Sequence, residues 1–117
     1  MTLTLADIIQ QLDLTVLTAA ADFGAVRPTG GYTSDLLSCV MAGAKSGSLW
    51  ITLQAHGNIV AVAALLEVSA VIITEDARPE PATIARANEQ GVTLLATAAP
   101  SFAVVGQLWE LGLRAAV

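Results

Sequence analysis

The chain has 117 residues, 55% hydrophobic and 13% charged, with a net charge of −5 and one cysteine. This size suits a single domain over residues 1–117 that buries a core without disulfide or metal staples, and the composition excludes a disordered tail. The basic residues Arg27, Lys45, Arg78, Arg86 and Arg114 are scattered and build no patch between sequence neighbours, so nucleic acid is not an expected partner.

The first stretch, MTLTLADIIQQLD, has no basic n-region and carries Asp7 and Asp13, unlike a secretory signal. With Cys39 as the lone cysteine, a cytoplasmic setting is expected. Thr4 and Asp7 have the spacing of a capping box, and Leu5, Ile8, Ile9 and Leu12 fall on one helical face. Residues 15–19 (TVLTA) read as a strand from their β-branched content. Residues 20–31 read as loop, punctuated by Pro28 and the Gly30-Gly31 pair.

Thr33 or Ser34 is expected to cap a second helix, with Asp35 near its positive end and Leu36, Leu37, Val40, Met41 and Ala44 as its buried stripe. Cys39 lies inside that helix and is expected to be a buried, inert thiol. Residues 49–53 (LWITL) form the second strand and residues 70–74 (AVIIT) the third. Between them lie a polar turn, residues 54–58 (QAHGN), and a helix, residues 59–67, that is apolar nearly all round. Its longest clean apolar run, residues 59–66, is less than half of the roughly 20 residues a spanning helix needs, so no membrane span is expected.

Pro81 suits a first helical turn, with Ile84 and Ala87 inward, Arg86 and Glu89 outward, and Gly91 past the end. Residues 93–96 form the fourth strand. A last helix starts at Pro100 or Ser101, with Phe102, Val105 and Trp109 sharing a face. The alternation predicts an α/β fold: one three-layer domain, a small, mainly parallel sheet of about four strands, and helices on both faces.

In such a sheet, ligands bind where the strands end. The loops expected to converge there are residues 20–31, 54–58, 74–76 and 97–101. The candidate ligand-binding residues are Gln54, His56, Asn58, Thr74 and Glu75, with no catalytic set and no cofactor. His56 offers a group that titrates near neutral pH, and an alternative is an enzyme using it as acid/base with Glu75 or Asp76 as orienter. One cysteine and one histidine cannot close a zinc site within one chain, so no metal is expected. A helix apolar on every side must be buried on every side, which predicts a homodimer approached closely through Ala61, Ala63 and Ala64.

Over residues 30–113 the chain resembles the DRTGG domain family: GGYTSDLLSCVMAGA, then LWITLQAHGNIVAVAALLEVSAVIITE, then an A-x-P-x-P-x-T-I helix start and a VTLLAT strand. It looks most like small stand-alone members, in which a strand enters a Q-x-H-x-N turn and then IVAVA. Members with the name-giving residues carry Asp-Arg after the second strand and Thr-Gly-Gly after the third. This chain has Ala55-His56 and Thr74-Glu75-Asp76 there, keeping only Thr74. The resemblance implies an α/β domain similar to the N-terminal domain of HPr kinase. It also implies a regulatory or dimerising role, like that of the domains attached to CBS-domain pyrophosphatases and phosphate acetyltransferases. The stand-alone likeness further implies an accessory role near iron-only hydrogenases, with a small-molecule effector or a redox-complex protein as partner.

Overall fold

The computed structural model describes residues 2–116. Thr4 opens the first helix, α1 (Leu5–Leu12), through the expected box. Its hydroxyl accepts from the Asp7 N–H at 3.2 Å, and the Asp7 carboxylate accepts from the Thr4 N–H at 3.0 Å. The Thr4 backbone N–H, and then the Thr4 hydroxyl, hold the Asp7 carboxyl below its ordinary range.

The described residues form five α-helices and five strands, alternating from the second strand onward, with a short 3-10 turn (Phe23–Ala25) between the first two strands. After α1 come β1 (Thr15–Val16), β2 (Gly31–Thr33), α2 (Leu37–Gly43), β3 (Leu49–Thr52) and α3 (Asn58–Leu66). Then follow β4 (Ala70–Ile73), α4 (Pro81–Gln90), β5 (Leu94–Ala96) and α5 (Ser101–Glu110). The sheet order is β1-β5-β4-β3-β2, with β2 to β5 parallel and β1 antiparallel at one edge.

Side-chain alternation along the central strands feeds two cores. Leu49, Ile51, Ala70, Ile72 and Leu95 face α1 and α5, meeting Leu5, Ile8, Val104 and Leu108. Trp50, Val71, Ile73 and Leu94 face the other way, beneath α2, α3 and α4. Every residue of β3 and β4 is buried, as a parallel sheet covered on both faces requires. Trp50 is fully buried and its indole N–H donates to the Ser34 carbonyl at 2.9 Å. Losing such a side chain costs about 3–5 kcal/mol.

The structure corrects several expectations. Residues 31–33 are a strand and not the approach to a helix: Gly31, Tyr32 and Thr33 pair in parallel with Leu49, Trp50 and Ile51. Gly30 is required just before it, because a Cβ there would stand 2.6 Å from the Ala116 nitrogen. α2 therefore starts later, at Leu37, without a side-chain cap. Its inward stripe is Leu37, Val40 and Ala44, whereas Leu36 and Met41 are 60% and 50% exposed. Cys39 is turned to the surface by the same phase shift. In α5 the buried positions are Val104 and Leu108, so of the expected face Phe102 and Trp109 point outward, with Phe102 92% exposed, while Val105 is half-buried against the core.

The apolar α3 is closed mostly from within the chain. It lies between α2 and α4, which leaves Ile59, Val60, Val62 and Ala63 buried. Only Ala61 and Leu65 of its apolar residues are well exposed. Ala63 is thus unavailable to a second copy, and α3 does not by itself demand one.

Candidate functional site

Parallel strands β2 to β5 end at one edge, so the turns at residues 34–36, 53–57, 74–80 and 97–100 gather there. The loop at residues 20–31 does not join them. Because β1 runs antiparallel, it carries the chain to the opposite edge, where the Thr18 hydroxyl accepts from the N–H of Leu94 at the start of β5.

Two sets of polar groups at this edge fasten loops to one another. In the first, Asp35 Oδ1 accepts from the Thr52 hydroxyl and the Leu53 N–H, both at 2.8 Å. The Gln54 amide donates to the Asp35 carbonyl at 3.1 Å. Asp35 is therefore a clamp between the ends of β2 and β3, and Gln54 is its second strut. In the second set, the hydroxyls of Thr74 and Ser101 share a hydrogen bond of 2.6 Å, with Thr74 fully buried. The Glu75 carboxylate accepts from the Ser101 N–H at 2.9 Å, at the positive end of α5.

The backbone of that second turn is distinctive. Glu75 and Asp76 have φ of 62° and 58°, two successive residues in the left-handed region that favours glycine. These are the two positions where the resemblance sets a Gly-Gly pair. The turn takes a glycine-like conformation with two acidic residues in it.

His56 and Asn58 stand elsewhere, on the wall of an open basin of about 450 Å³ between the starts of α3 and α4. Arg78, Thr83 and Arg86 line the same basin, with Glu80 at its rim. The structure thus separates the predicted candidates. Gln54, Thr74 and Glu75 hold loops together, whereas His56 and Asn58 meet a set of donors from α4 and the loop before it. Sequence reasoning passed over those donors because Arg86 lies in mid-helix, far from any strand end. The spacing of Thr83 and Arg86, three apart on one helical face, was the available signal.

His56 is exposed, and its Nδ1 accepts from the Asn58 N–H at 3.2 Å. Neither expected orienter engages it: Glu75 is bound to Ser101, and Asp76 to Arg78 at 3.1 Å. The His56–carboxylate acid/base pair is not assembled. Among the described residues, no three His, Cys, Asp or Glu side chains gather as a metal site, and no helix is long and apolar enough to cross a membrane.

A second, apolar feature lies along the free side of β2. A groove of about 330 Å³ is lined by Tyr32, Ile51, Val105, Leu108, Trp109 and Leu113. Trp109 is 57% exposed and carries the Arg114 guanidinium over its ring, 3.9 Å from the centroid.

No protein-family model matches the chain, and no curated protein does. Among solved structures, it is similar to the CBS- and DRTGG-domain regulatory region of Clostridium perfringens pyrophosphatase, a structure complexed with the activator diadenosine tetraphosphate. The TM-score is 0.73 at 18% identity, over 90% of this chain. The chain spans 45% of the length of that one. It is thus similar in fold to the regulatory region of an enzyme, and the DRTGG-like α/β architecture implied by its sequence is the one it adopts.

Proposed function

We propose that the chain is a non-catalytic regulatory or accessory module that binds a small effector in the basin beside His56 and Asn58. The observation that carries this reading is the division of labour at the sheet edge. Asp35, Gln54, Thr74 and Glu75 are consumed in loop-to-loop hydrogen bonds, while Arg86 and Thr83 line the basin without side-chain partners among the described residues. A site rich in donors and without a base–orienter pair suits binding better than proton transfer. The fold likeness to a regulatory region, there complexed with a nucleotide activator, supports the same reading.

We further propose that the module is a homodimer, joined through the outward face of α5 and the groove along β2. Phe102 and Trp109 offer the large exposed apolar surface that α3 does not. Thermal-shift screening of nucleotides, sugars, phosphorylated metabolites and metals, followed by mass analysis of any hit, tests the effector reading. A compound that raises Tm in wild type, less in His56→Ala, and is recovered unchanged supports it. Turnover of the compound, or no shift from any class, overturns it. Light scattering at micromolar concentration is expected to give a dimer that Phe102→Asp weakens; a monomeric wild type overturns that part.

A further inference from the structure

We infer that the basin between α3 and α4 takes an anion, the phosphate group of a phosphorylated small molecule, with Arg86 as its principal anchor. This rests on the effector reading above and adds the chemical class of the effector.

The argument starts from a charge imbalance. The whole chain has a net charge of −5 and only five basic residues, yet two of them, Arg78 and Arg86, line this one basin. Among the described residues, the one ion pair joins Arg78 to Asp76, and both side chains are more than half exposed, at 83% and 61%. Such a pair is weak and easily exchanged. Arg86 has no ion-pair partner among the described residues. Glu80, which caps α4, lines the same basin without forming one, and neither does Glu89, three residues beyond Arg86 on the helix.

Arg86 is also set against a positive end. A Cβ placed on Gly57, the residue that leads into α3, would stand 3.5 Å from Arg86 Nη1 and 3.5 Å from Thr83 Oγ1. The guanidinium therefore lies beside the N-terminus of a nine-residue helix, the positive end of its dipole, although the N–H groups of Asn58, Ile59 and Val60 are already bonded to the His56 ring, the His56 carbonyl and the Gly57 carbonyl. Two like-signed groups held together repel unless an anion sits between them.

Thr83 supplies an independent observation. It is 7% exposed, it lines the basin, and its hydroxyl has no hydrogen-bond partner among the described residues. No buried side-chain polar atom among the described residues lacks a partner, so this hydroxyl opens on the basin and is not sealed in the core. Here the hydroxyl is left for whatever enters the basin. His56 adds a third donor: with Nδ1 accepting from Asn58, the proton of the neutral ring lies on Nε2. Guanidinium, hydroxyl and imidazole N–H line one space beside the positive end of α3, a donor set that suits the oxygens of a phosphate. The Glu80 carboxylate on the rim can accept from hydroxyl or amino donors of the group that carries the phosphate.

Titration calorimetry of the full chain with inorganic pyrophosphate, adenosine triphosphate and an uncharged sugar tests this. Arg86→Gln, Thr83→Val and a control, Arg27→Gln, are compared at low and moderate salt. The phosphorylated probes are expected to bind wild type and Arg27→Gln alike. Binding should fall tenfold or more in Arg86→Gln, fall severalfold in Thr83→Val, and weaken as salt rises. Equal binding to wild type and Arg86→Gln overturns the inference. So does binding of an uncharged ligand, lost in His56→Ala, with no binding of either phosphorylated probe; that result leaves the effector reading standing. Absence of binding by every class sinks both. Arg86 is exposed, so its variant is expected to keep the wild-type Tm without ligand, and a lowered Tm would mean the side chain serves the fold instead.

Discussion

Replacing Glu75 by glycine and, separately, by alanine measures what the left-handed turn after β4 costs. Both changes remove the carboxylate that accepts from the Ser101 N–H, so that loss, about 0.5–2 kcal/mol for a helix-start partner, cancels between them. What differs is the backbone at φ 62°. A residue with a Cβ is disfavoured there by about 1–2 kcal/mol, whereas glycine gives back about 0.4–1 kcal/mol through its freer unfolded chain. Glu75→Gly is therefore expected to be more stable than Glu75→Ala by about 0.5–1 kcal/mol. It should lie close to wild type, with the alanine variant clearly below. Equilibrium urea unfolding with a shared m-value resolves this difference. An alanine variant as stable as the glycine variant would refute the argument. It would mean that the turn relaxes out of the left-handed region when the Ser101 contact is cut.

Other outcomes follow from single features. Thr74→Val removes one partner of a buried 2.6 Å hydroxyl pair and should cost about 1–2 kcal/mol in urea unfolding; no loss would show that Ser101 finds another partner. Cys39, the single cysteine, should react with a thiol reagent in the native state about as fast as in denaturant, and protection would contradict its outward placement. The Asp7 carboxyl is held below its ordinary value of 3.8, so its contribution to α1 is complete above that pH and lost as pH falls through the folded-state value. The gap in Tm between wild type and Asp7→Ala should accordingly narrow on acidification below pH ~4, and a gap that widened would reverse the sign.

The central elements were legible because their residues leave little choice. AVII and LWIT are short, β-branched or aromatic runs, which only a strand buried on both faces accommodates. The Thr4–Asp7 box and Pro81 mark their helix starts locally, and Gly91 marks an end. What escaped depended on distant partners. Nothing within Thr15-Val16 states that it runs antiparallel to β5; that follows from pairing with Leu95 and Ala96. Gly31–Thr33 is too short to signal a strand without β3 beside it. In α5, apolar residues occupy two overlapping faces, and only the sheet beneath selects Val104 and Leu108 over Phe102 and Trp109. The site followed the same rule. His56 and Asn58 were visible as a polar turn, but Arg86 and Thr83 reach them only because α4 lies against α3.

The two edges of the sheet carry a consequence for how the chain is made. One edge is closed by β1 on β5, joining Thr15 to Ala96, and the other is guarded by the bridge from Gly31 to Ala115. Each early segment thus waits for a partner that is synthesised later. On a ribosome, the β2–β3–β4 unit emerges with both rims open, and its unpaired N–H and C=O groups invite pairing with another nascent chain. Truncation at the end of α5 would remove the guard of β2 permanently. Loss of the stretch around Ala115 is therefore expected to show first as aggregation during expression, before any change in the core.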